Sequence, residues 1–160
     1  MKKLTVIETE DEDIAQQIVV RIKKYGDPGV ISVRSVCSAD ELSGLTSDIL
    51  VLSPGAARKG TKTNQTVSCG ILLLPGDTDA DFAEAECIVT YGMSAKNTIT
   101  LSSIGEESCI LALQRELITV HGDVLERQEI MINGGLKPDA LLAVAGALLL
   151  LGLKLSDINE

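Results

Sequence analysis

Apolar residues recur at helical spacing early in the chain, as Ile14, Ala15, Ile18, Val19 and Ile22. That period puts them on one face of an amphipathic helix. Thr9 reads as its N-cap, with Glu12 answering three residues on as a capping box. Asp11, Glu12 and Asp13 load the first turn, and Arg21, Lys23 and Lys24 the last, as the helix dipole favours. Gly26 ends the helix and Pro28-Gly29 turns the chain. A short β-branched strand at residues 4–7 precedes it, and residues 30–36 alternate as a half-buried strand. Ser38 can cap a helical turn over 39–45. Residues 48–53 are apolar in succession, which predicts a buried strand. The front of the chain thus reads as a parallel β-α-β unit, Rossmann-like in pattern. Its strand ends share the edge where open sheets of this kind hold ligands.

Beyond it, residues 55–68 read as a polar, basic linker. Residues 70–77 form a strand ending in a turn, 82–86 a short helical piece and 87–92 another buried strand. Strand patterns at 98–103, 108–117 and 127–132, with turns at Gly105 and Gly122, predict an antiparallel meander. A nearly all-apolar helix closes the chain over 138–153, with Pro138 in its first turn. The fold class expected is α/β. It divides into a β-α-β unit (1–54), the linker (55–68) and a second region (69–160), or forms one continuous domain over 1–160.

Composition narrows the function. The chain of 160 residues is 45% hydrophobic and carries a net charge of −9. Its aromatics are Tyr25, Phe82 and Tyr91, so the core must be aliphatic. Acidity and the want of stacking side chains argue against nucleic acid as a partner. The uncharged run at 140–153 is shorter than the roughly 18 residues of a membrane span. No signal-peptide pattern opens the chain, and the expectation is a cytoplasmic protein. Cys37, Cys69, Cys87 and Cys109 lie in or beside apolar runs and read as buried, reduced thiols. Without a CxxC pair, and with His121 the single histidine, no zinc site is expected.

From residue 69 onward the order of elements resembles the central domain of the Mur ligases, the ATP-dependent amino-acid ligases of peptidoglycan synthesis. Residues 71–77 (Ile-Leu-Leu-Leu-Pro-Gly-Asp) are similar to the family's strand ending in Asn-x-Asp-Asp. Pro75 stands for the Asn, Asp77 matches the first Asp, and Thr78 replaces the second. Residues 87–92 (Cys-Ile-Val-Thr-Tyr-Gly) look like the strand ending in Thr-Tyr-Gly. Gly135 and Leu136 occupy the place of the family's His-Asn pair, which belongs to its nucleotide site. Asp139 takes that of the Asn leading its Ala/Leu-rich helix, which residues 140–158 follow. The resemblance implies a sheet and buried helix of that kind. The departures, with no third ligase domain, imply lost ligase chemistry.

A phosphate loop is also broken. Gly55 to Thr63 approaches GxxxxGK[ST], but Thr61 separates Gly60 from Lys62, and no helix is expected to follow. Gly55, Arg58, Lys59, Gly60, Lys62 and Asp77 remain the candidate anion or nucleotide site. Asp77, Asp79 and Asp81 read as a solvated turn rather than a cation site, since other EF-hand ligands are missing. Ser102, Ser103, His121 and Asp123 have no spacing that suits nucleophilic catalysis. The expected function is therefore a non-catalytic, Mur-ligase-like binding module. It would need no cofactor, and its ligand would be a UDP-linked or muramyl-peptide molecule or a protein partner. The alternative is a small nucleotide binder or enzyme using the basic loop 54–63.

Overall fold

The computed structural model describes residues 1–25 and 31–154. The turn expected at Gly26, Pro28 and Gly29 lies outside them, as do residues 155–158 of the resemblance. β1 (Lys2–Ile7) leads through α1 (Ile14–Tyr25) to β2 (Ile31–Val36), its parallel partner. A 3-10 turn, Ala39–Leu42, carries the expected Ser38 capping box. β3 (Thr46–Leu52) then returns to pair in parallel on the other side of β1.

α2 (Pro54–Lys59) occupies the start of the segment 55–68 expected to be a linker, and residues 60–66 are the loop that remains of it. Ser53 caps it by accepting from the Ala56 N–H, Pro54 suits its first turn, and Gly60 stops it at φ 102°. β4 (Val67–Pro75) and β5 (Ala83–Tyr91) extend the parallel sheet. The helical piece expected at 82–86 is instead the start of β5, because residues 83–85 pair with β4.

β6 (Ile99–Ile104), β7 (Ser108–Leu113) and β10 (Gln128–Asn133) form the expected antiparallel set. A small ribbon of β8 (Leu117–Ile118) and β9 (Val124–Leu125) is inserted between the last two. α3 (Pro138–Leu150) ends the described fold. The large sheet runs β10-β7-β6-β5-β4-β3-β1-β2, so the fold is α/β with a mostly parallel sheet and few helices.

α3 explains the packing. Residues 141–150 are all buried, and a helix apolar all round needs cover on every side. β3 to β6 lie against it, with α1 and α2 beside it. One core joins Leu4, Val51, Leu73, Leu111 and Ile132 to this helix. Gly146 lets Leu73 and Ile99 approach, since a Cβ there would sit 3.1 Å from each. On the opposite face Leu42, Ala56 and Phe82 cover Leu50, Leu52, Leu72 and Leu74.

Candidate functional site

The C-terminal ends of β1 and β3 open on a cavity of about 710 Å³ between α1, α2 and the start of α3. Glu12 lies in its lining, and buried Glu8 stands close behind at the start of α1. Helix α1 begins at Ile14, after the acidic run rather than within it. Its first N–H groups are met by Glu8, which accepts from Ile14 at 2.8 Å and Ala15 at 3.1 Å. The Ser35 hydroxyl donates to the same carboxylate at 2.9 Å. Glu8 is buried, and these donors compensate its desolvation. It stands at the end of β1, and the strand itself delivers it to the helix.

Thr9 does not cap α1, because the helix starts five residues later; Thr9 and Glu12 instead close a turn ahead of it. The Thr9 N–H donates to Glu12 at 2.9 Å, and the Glu12 N–H donates to the Thr9 carbonyl at 3.1 Å. Glu12 is thereby aimed across the sheet edge. It accepts from the Ser53 hydroxyl at 2.6 Å and from the Gly55 N–H at 3.0 Å. A Cβ at Gly55 would lie 2.5 Å from the Glu12 carboxylate, so a side chain there would push Glu12 out of this seat. Burial pushes the Glu12 carboxyl up, but hydrogen bonds from Ser53, Thr9 and Gly55 outweigh it and hold it below its ordinary range.

Around Glu12 the lining mixes signs. Asp11, Asp13 and Asp139 face Arg58, Lys59 and Lys137. The Thr9 hydroxyl donates to Asp11 at 2.7 Å, and with Lys59 and Lys137 beyond it keeps that carboxyl below its usual range. Arg58 reaches Asp139 at 3.5 Å, an exposed pair of small energetic weight.

The sequence candidates are therefore divided. Gly55, Arg58 and Lys59 line this cavity. Gly60, Lys62 and Asp77 line a separate groove of about 490 Å³, together with Asp79 and Asp81. Asp79 accepts from the Asp81 N–H at 2.8 Å, the local turn chemistry expected of it. Glu12, Lys137 and Asp139, which also line the cavity, were not among the candidates. The cue for Glu12 was a capping box expected to start α1; the carboxylate instead links the Thr9 turn to the start of α2. Lys137 and Asp139 join only through the long return of α3.

Among the described residues no cluster of three or more His, Cys, Asp or Glu side chains could hold a metal. Among the described residues no helix is long and apolar enough to cross a membrane. Cys69 and Cys109 are buried as expected, whereas Cys37 and Cys87 are exposed. β2 and β5 each keep exposed positions along their length, so an apolar run did not ensure burial. Compared with known protein families the chain matches none, and no curated protein is found similar to it.

Proposed function

We propose that this chain is a non-catalytic binding module related to the Mur ligase central domain. Its ligand would occupy the cavity lined by Lys59, Lys137 and Asp11. The observation that carries the reading is the seat of Glu12. In a strand–turn–helix unit at a parallel sheet edge, a phosphate would take the N–H groups after the strand. Here Gly55 and Ser53 already serve the protein's own carboxylate. An anion cannot share that position without displacing Glu12 against its hydrogen bonds.

The basic loop supports nucleotide binding less well. Lys62 shares its groove with Asp77, Asp79 and Asp81, whose charges oppose a phosphate. The order β4, β5, antiparallel strands and buried α3 supports the finer family reading, in which the second half is a Mur-ligase-like sheet. A link to cell-envelope metabolism then follows by analogy of fold.

A thermal-shift series tests this against ATP, UDP-linked sugars and muramyl peptides. Stabilisation by a UDP-linked sugar or muramyl peptide, reduced in Lys59→Ala and Lys137→Ala, is the expected result. At a ligand concentration a hundredfold above Kd the gain is about 2.7 kcal/mol. ATP hydrolysis by the purified chain, abolished by Lys62→Ala, overturns the reading.

A further inference from the structure

β5 has an open edge in the interior of the sheet. It pairs with β4 along its length, from Val67↔Ala83 to Pro75↔Tyr91. With β6 it pairs only at Tyr91↔Ile99. The two strands are parallel, so β6 starts at the level where β5 ends and runs on past it. Among the described residues, no strand lies beside residues 83–89 on that side. Alternate residues of a strand direct their N–H and C=O groups to opposite neighbours, so this edge displays a row of unmatched donors and acceptors.

The side chains along it are open as well. Glu84, Glu86 and Cys87 are exposed, and Ile88 is 53% exposed. The charged residues on this stretch are both acidic, and the chain itself carries −9. Antiparallel pairing of β5 with a second copy would bring these glutamates close to each other, and like charges on facing strands repel. A strand carrying lysine or arginine gains where a second copy loses.

We propose that the β5 edge binds an extended, basic segment of a partner protein by strand addition. Backbone hydrogen bonds run along residues 83–89, basic side chains meet Glu84 and Glu86 on one face of the strand, and apolar ones lie beside Ala85 and exposed Cys87 on the other. This surface is separate from the cavity at the C-terminal strand ends and does not depend on what binds there.

The probe is a fluorescent peptide of about eight alternating lysine and valine residues, a length matched to the open edge. It is acetylated and amidated, and titrated with the whole chain by anisotropy. Binding is expected, while the peptide with glutamate for lysine does not bind. N-methylation of alternate residues should weaken binding at least about tenfold, because the backbone donors on the pairing side are lost. The exposed double variant Glu84→Lys/Glu86→Lys should reverse the preference between the lysine and glutamate peptides. Bound peptide should slow alkylation of Cys87 and leave Cys37 unchanged. Equal binding of the N-methylated peptide overturns the proposal in favour of surface charge alone. No binding of the lysine peptide also overturns it. A dimer in sedimentation that protects Cys87 without peptide assigns the edge to a second copy instead.

Discussion

Glu12 and Ser53 meet at 2.6 Å across 41 residues of chain. The contact joins the turn before α1 to the first residue after β3, and Glu12 lines the cavity. Ser53 is wholly buried and uses its hydroxyl twice, donating to Glu12 and accepting from the Ala56 N–H at 3.0 Å. One carboxylate thus closes a small network that caps α2 and fixes the edge of two adjacent strands.

Removing it should be felt. Glu12→Ala leaves the Ser53 hydroxyl and the Gly55 N–H without their acceptor, a loss of about 1–3 kcal/mol. Urea unfolding at neutral pH measures it. The pH dependence has a definite sign. A folded pKa below the ordinary 4.5 gives stability that is complete above that value and lost as pH falls through the folded pKa. The advantage of the native protein over Glu12→Gln should therefore shrink on acidification below about pH 4.5. A constant difference from neutral to strongly acidic pH would show that the carboxylate is not held in this way.

Gly76 and Gly92 make room for Asn97. A Cβ at Gly76 would fall 1.8 Å from the Asn97 Oδ1, and one at Gly92 2.7 Å from Nδ2. Asn97 is buried and donates to the Ser94 carbonyl at 3.0 Å. Gly76→Ala is expected to destabilise by about 1–3 kcal/mol through overpacking. Adding Asn97→Ala should recover part of that loss. Strict additivity of the two single effects would disprove the clash.

Thiol chemistry separates the cysteines. Cys37 and Cys87 should react rapidly with a thiol reagent in the folded protein, and Cys69 and Cys109 only on unfolding. Burial also pushes the Cys69 thiol up to about 11, so it carries little thiolate at neutral pH. Mass spectrometry after brief alkylation decides the matter, and early labelling of Cys69 would contradict the packing of β4.

Two substitutions near α3 should differ sharply. Leu148 is fully buried, and Leu148→Ala should cost about 2–5 kcal/mol. Arg58→Ala removes an exposed ion pair with Asp139 and should change stability by less than about 1 kcal/mol. Chemical denaturation of the pair compares them directly. A large effect of Arg58→Ala would mean that the rim of the cavity is more rigid than its exposure implies.

Much of the fold was legible because it depends on short-range pattern. The helical spacing from Ile14 to Ile22, the apolar run of β3 and the all-apolar α3 each follow from a local hydrophobic period. Ser38 as a cap was readable for the same reason. The misreadings were of segments whose neighbours decide their state. Residues 83–86 carry Ala and Glu, which favour a helix, yet they pair with β4 once the sheet is built. The Ser53-Pro54 start and Gly60 stop of α2 were visible, but its basic composition read as a linker.

The sequence by itself determined where apolar faces lie and where chain direction changes, because those follow from side-chain period and turn residues. It also determined that a phosphate loop is broken, since spacing is a property of the chain. Only the tertiary structure decided that Glu12 fills the end of α2, that Lys59 and Lys137 share one cavity, and that Lys62 lies in another groove. It alone left residues 83–89 of β5, among the described residues, without a strand on the side away from β4. The reason is physical. Period and propensity act over a few residues, whereas these contacts require strands and helices far apart in sequence to be brought together by burial of the α3 core.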